Sequence, residues 1–159
     1  MKRHIGLYTI LAAVFVLMTA STALSQKQGR PPGWRGMLPA DQVAWGEKYR
    51  KAETRVEEKI GKIEDFTEAD AKGAMGSLPE MTAAGVPITD ARDLVEGLLD
   101  RGLKGKEIVA VSRTMSRGVK GGLKPGRINF FIRDRLNEDL RGKELTDAIN
   151  KAIDSAMGL

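Results

Sequence analysis

Residues 102–107 read Gly-Leu-Lys-Gly-Lys-Glu, and residues 139–144 read Asp-Leu-Arg-Gly-Lys-Glu. The two stretches lie 37 positions apart, and the apolar residues around them repeat with them. Ala91, Leu94, Val95, Leu99 and Leu103 match Ile128, Phe131, Ile132, Leu136 and Leu140. Beyond the turn, Ile108, Val111, Met115 and Val119 match Leu145, Ala148, Ala152 and Ala156. Steps of three and four on both sides of the turn are the spacing of one helix face. Each unit is therefore a predicted helical hairpin, over 87–122 and 124–158, entered at Pro87 in the first and at Pro125, one place out of register, in the second. Leu98 against Arg135 breaks the match, so the two hairpins are not expected to present the same outer surface.

The repeated turn has a physical logic. Gly102 stands where a helix end wants a left-handed residue. Leu103 and Ile108 have the spacing of a hydrophobic staple, around Lys104 at the cap and Glu107 at the third helical position. Leu140, Arg141, Glu144 and Leu145 repeat that arrangement. A Lys or Arg at the cap offers no oxygen to the free amides, and its charge opposes the helix dipole. Lys106 and Lys143 add a second cation to each turn. The pattern predicts two anion-binding corners, where Lys104, Gly105 and Lys106, and likewise Arg141, Gly142 and Lys143, would meet an anion with helix-end amides and positive charge. The plainer alternative makes Gly105 and Gly142 the caps and leaves the lysines in water.

A second basic element joins the hairpins. In the string RGVKGGLKPGR, over 117–127, Arg117, Lys120, Lys124 and Arg127 frame Gly121 and Gly122. This reads either as a flexible basic loop facing a polyanion or as dipole-complementing cations beside an ordinary helix stop and restart. Ten basic and two acidic residues between positions 101 and 135 are more than capping requires.

Upstream, Phe66, Thr67, Asp70 and Ala71 form another version of the turn, with a capping threonine. A short helix is predicted to follow, carrying Ala71, Ala74, Met75 and Leu78, and to stop before Pro79, with 80–86 as a connector. Ala71, Ala74 and Leu78 fall 37 residues before Ile108, Val111 and Met115, which suggests a third, degenerate copy. The helix before it does not align, because Glu58 and Lys62 fall on the places of Val95 and Leu99. That helix is predicted as one long amphipathic element over 41–64, with Trp45, Tyr49, Ala52, Val56, Ile60 and Ile63 on its apolar face. One long helix, one short helix and two hairpins predict an all-α domain over 40–159, closed into a compact bundle.

The chain opens with Lys2 and Arg3, an apolar run over 5–20, and Ala23-Leu24-Ser25 placed for a cut before Gln26. This is the layout of a secretory signal peptide. The run is shorter than the about 20 apolar residues a spanning helix needs, which counts against the alternative of a retained anchor. Cleavage after Ser25 would release a periplasmic or secreted protein. Residues 26–39, rich in Pro, Gly and basic side chains, read as a linker without stable structure. Trp34 within it would either contact a partner or membrane surface or pack back on the domain.

Removing the leader also removes His4, the one histidine of a chain that has no cysteine. No Ser-His-Asp or Cys-His arrangement, histidine metal site or haem attachment remains available. The Gly-Lys turns lack the Walker spacing, and Glu107 and Glu144 stand where Ser or Thr would follow. A wall hydrolase using two carboxylates stays open in principle, but Glu57, Glu58, Glu64, Asp65, Asp93 and Glu96 lie at the ordinary spacing of solvated helix faces. No enzyme, cofactor, metal or catalytic residue is expected. Charge is segregated instead: net −6 over 40–100 and net +6 over 101–159. The expectation is a non-enzymatic module that binds a partner protein in the cell envelope, with a binder of anionic lipid or envelope polymer as the alternative. Membrane-surface contact and head-to-tail self-association are compatible with the charge pattern, and nucleic acid is not an expected partner of an exported protein.

Overall fold

The computed structural model describes residues 30–159; the leader with its expected cut after Ser25 lies outside the described residues. Six α-helices follow a short 3-10 turn at Trp34–Gly36: α1 Pro39–Ile60, α2 Glu68–Ala83, α3 Ile88–Asp100, α4 Gly105–Lys120, α5 Pro125–Asn137 and α6 Gly142–Met157. The described residues contain no strand. The starts of α2, α4 and α6 are 37 residues apart, as are their ends, and α3 and α5 have the same offset. Helix boundaries thus keep the period even where a proline shifts. Pro87 is the cap of α3, whereas Pro125 is the first residue of α5.

Four of the connectors, at 84–87, 101–104, 121–124 and 138–141, are four residues long and built alike. The second residue of each is left-handed: Gly85, Gly102, Gly122 and Asp139, with φ between 57° and 97°. The third residue donates its amide back to a carbonyl five residues earlier, as Leu103 does to Leu98 and Leu123 to Gly118. This double closure ends one helix while the next residue caps the following one. In the first connector Asp65 holds the left-handed place, 37 residues before Gly102. That connector spans 61–67, three residues longer than the others.

Every extensive interhelical contact joins helices no more than two places apart in the chain. The helices therefore stack hairpin upon hairpin, with α2, α4 and α6 as one layer and α1, α3 and α5 on its other side. This open stack replaces the expected closed bundle. Central α4 buries residues around most of its circumference, from Ile108 and Val111 to Ser112, Met115 and Ser116. Its approach to α2 is close because glycine faces glycine. A Cβ on Gly105 would lie 2.4 Å from the Asp70 Cα, and one on Gly73 would lie 3.0 Å from the Gly105 carbonyl oxygen. The α4–α6 contact is less extensive, and the α6 equivalents of Ser112 and Ser116 are the fully buried Ile149 and Ile153. One hydrocarbon core runs from Tyr49 to Ile153.

Three further expectations are corrected. α2 continues through Pro79 to Ala83, so 80–86 is helix for four residues and connector only thereafter. The lost backbone bond costs about 3 kcal/mol. Leu78 and Met81 on either side are fully buried, and burial of such side chains returns roughly 1.5–3 kcal/mol each. α1 ends at Ile60 rather than 64, and Gly61 closes it. Finally, the described part of 26–39 is structured. Trp34 packs edge-on against Trp45 at 5.1 Å, Trp45 stacks on Tyr49 at 4.9 Å, and Gln42 Nε2 donates to the carbonyls of Trp34 and Met37. Among the described residues no helix is long and apolar enough to cross a membrane.

Candidate functional site

The helix starts flagged by the sequence lie together at one end of the α2–α4–α6 layer, and carboxylates tie them to one another. In α2, Thr67 Oγ1 accepts the Asp70 amide at 3.1 Å, while Asp70 Oδ2 accepts the Thr67 hydroxyl at 2.7 Å and its amide at 3.3 Å. This is a capping box. The second oxygen, Asp70 Oδ1, reaches across the layer and accepts the amide of Gly105, the first residue of α4, at 2.9 Å. The next hairpin repeats the device. Glu107 Oε2 accepts the Lys104 amide at 3.0 Å, and Glu107 Oε1 accepts the amide of Gly142, the first residue of α6, at 3.0 Å. Each acid therefore serves the helix it belongs to and the helix that follows 37 residues later.

The predicted corners can now be placed residue by residue. Gly105 is buried at the first position of α4, and its amide is occupied by Asp70; Gly142 at the first position of α6 has its amide occupied by Glu107. Lys104 is the cap residue; its side chain has no acceptor to offer the helix-start amides, while its own amide donates to Glu107. Its ammonium turns away from the helix start, donating to the Asp65 carbonyl at 3.2 Å and lying 5.6 Å from the centre of the Phe66 ring. Arg141 caps α6 and donates to the Leu140 carbonyl. Lys143 pairs with Asp147, which raises its pKa by hydrogen bonding and charge. Lys106 is exposed and carries no ion pair among the described residues.

The second basic group sits at the far end of α4, about 22 Å away for a helix of this length. Arg117 donates to Asp154 Oδ1 at 2.7 Å and to Asn150 Oδ1 at 2.9 Å on α6. Arg127 lies over the Phe131 ring at 5.8 Å. Lys120 and Lys124 are exposed without an ion pair among the described residues. The structure thus does not gather the ten candidate residues into one site: it divides them between the two ends of α4.

Sequence reading missed the cross-layer caps. Asp70 and Glu107 stand at the third helical position in the sequence, but their second partners are 35 residues away and become visible only when the helices lie side by side. Electrostatics follow the geometry. The Asp70 carboxyl is held below its ordinary range, first by the Thr67 hydroxyl, then by the Gly105 and Thr67 amides and the Lys104 charge, against some desolvation. Glu57 moves the other way, pushed up by partial burial. Among the described residues no cluster of three or more acidic, histidine or cysteine side chains is placed to hold a metal ion. Comparison with protein-family models, with curated proteins and with solved structures returned no match for this chain.

Proposed function

We propose that this chain is an exported, non-enzymatic module made of three copies of one helical hairpin, and that it binds a partner protein in the cell envelope. Export rests on the charged, apolar and small-residue layout of the first 25 residues. The third copy rests on the shared offset of α2, α4 and α6 and on the left-handed Asp65 in the place of Gly102. Its first helix escaped the sequence period because the longer connector after α1 moves the buried stripe by two residues. Tyr49, Ala52 and Val56 lie 39 positions before Ile88, Ala91 and Val95, which are also buried.

One observation carries the binding reading: every exposed residue of α4 is basic. These are Lys106, Arg113, Arg117 and Lys120, and Lys124 continues the row. Arg113 and Arg117 lean on Glu80 and Asp154, and the three lysines have no ion pair among the described residues. Charges spread along a helix fit an extended acidic protein face better than a small anion, which needs converging donors. The converging donors at the helix starts are already engaged by Asp70 and Glu107.

The alternative, an anionic lipid or envelope polymer, draws on the same unpaired lysines. A photo-crosslinking residue at Arg113 or Lys120, introduced in the producing cell, separates the two. The expected result is a discrete adduct with one envelope protein, lost when Lys106 and Lys124 are changed to Glu. Adducts with glycan or lipid alone would establish the alternative, and no adduct at either position would reject both.

A further inference from the structure

α3 and α5 are the first helices of successive hairpins, with the same length and a 37-residue offset. Their outer faces carry opposite charge. Asp90, Asp93 and Glu96 on α3 stand where α5 has Arg127, Phe130 and Arg133; Glu96 is 15% exposed and already held by Arg55 of α1 and by Arg92, which leaves Asp90 and Asp93 as the open acids of that face. Phe130 is 65% exposed, the one aromatic among the strongly exposed large apolar side chains of the described residues. Arg133 and Asp90 have no ion pair among the described residues, and Asp93 pairs with its chain neighbour Arg92. Within one copy the two faces do not meet, because equivalent faces of stacked helices point the same way. Two copies bring them together.

We propose that the chain forms a two-fold dimer in which α5 of each copy lies on α3 of the other. A two-fold axis running along the helices, between α3 and α5, sets equivalent positions opposite one another. Arg127 then faces Asp90, and Arg133, whose own opposite position is the already paired Glu96, reaches back along the helix to Asp93. Phe130 falls at the level of Asp93, one helical turn from Gly97, which is exposed and has open space where a side chain would be. The interface is isologous, so each charge pair forms twice. An exposed aromatic flanked by arginines is the composition of an interface centre. Asp90 and Asp93 on the adjoining α3 face would be repelled by an anionic membrane, which favours a protein occupant for the combined surface. This dimer uses the layer opposite the α4 row, so it goes beyond the partner-binding reading and stands or falls separately from it.

Sedimentation equilibrium of the protein expressed from its full sequence tests the proposal. A monomer–dimer equilibrium is expected, weakening by about tenfold or more as salt rises from about 50 to about 500 mM. Phe130→Ala, Arg133→Glu and Asp93→Arg should each weaken it by roughly tenfold or more while leaving the helical circular dichroism unchanged. Mixing Arg133→Glu with Asp93→Arg should restore a heterodimer, because the reversed charges face each other once and the native pair once. A monomer at all concentrations up to about 100 µM, a dimer indifferent to these changes, or a mixture that fails to associate would overturn it.

Discussion

The Asp70 carboxylate accepts the Gly105 amide at 2.9 Å, joining the first turn of α2 to the first amide of α4. Glu107 does the same for Gly142 one hairpin later. A helix start normally leaves four amides seeking acceptors. Here the acceptor for the first of them comes from the preceding hairpin, so capping and stacking are one interaction. This offsets the cost of Lys104 and Arg141 at cap positions that want an oxygen: a cap oxygen would take the second or third amide, and here the neighbouring helix takes the first instead.

Acid should loosen this linkage in a definite direction. The folded-state pKa of Asp70 is lowered, so its stabilisation is complete above the ordinary aspartate range and is lost as pH falls through the lowered value. Melting temperature measured from about pH 6 down to about pH 2 should fall for the native protein. Asp70→Asn should melt lower at pH 6 and show a shallower acid slope. An unchanged slope would mean that Asp70 does not contribute.

Glu107 and Glu144 occupy the same place in successive hairpins, yet they should respond differently. Glu107 closes two helix starts, whereas Glu144 is exposed and accepts no amide from another helix among the described residues. Glu107→Ala is expected to cost about 1–3 kcal/mol in urea unfolding, the range for one or two lost caps. Glu144→Ala should stay within about 0.5 kcal/mol. Equal effects would show that the cross-layer bond contributes nothing.

Glycines in α2 and α4 offer a sharper contrast. A Cβ at Gly105 meets the Asp70 backbone at 2.4 Å, which neither helix can relieve without separating. Gly105→Ala should therefore cost about 3 kcal/mol or more and weaken the whole stack. Gly76, inside the same pair of helices, is exposed with nothing within 4 Å of its Cβ position. Gly76→Ala should raise stability by roughly 0.5–1 kcal/mol through helix propensity. Thermal melts of the two variants check both signs.

The period of 37 and the apolar steps within it made the helices at 88–157 legible, because those features are local and repeat. The first hairpin was only half legible. Thr67, Asp70 and Ala74 kept the period, but the longer connector shifted Tyr49, Ala52 and Val56 out of it. The candidate corners were located correctly as unusual helix starts, whereas their content was not readable. Whether a free amide awaits a ligand or already has a carboxylate depends on a neighbour 35 residues away, and charge counting along the chain carries no such information. The Trp34 segment was illegible for a similar reason: its Pro- and Gly-rich composition resembles a linker, and its order comes from Trp45 and Gln42 on another element.

Pro79 is the place where packing overrides local preference most plainly, and it makes a prediction that a helix stop at 78 would not. Inside α2 the proline removes one backbone donor, yet the helix continues for four residues to Ala83. Thr82 Oγ1 donates to the Leu78 carbonyl at 3.0 Å and to the Pro79 carbonyl at 3.2 Å, so the turn around the proline is tied by a buried hydroxyl. Replacing proline by alanine restores a backbone bond and removes the steric conflict, worth about 3 kcal/mol in a regular helix. Greater freedom of the unfolded chain takes back roughly 0.4–1 kcal/mol. Pro79→Ala should therefore stabilise the protein by about 1–3 kcal/mol in urea titration, with the unfolding slope unchanged. If 79 instead marked the end of the helix, the same substitution would be neutral or slightly destabilising. The amides at 79 and 82 of the variant would then exchange with solvent at the rate of a loop rather than that of α2.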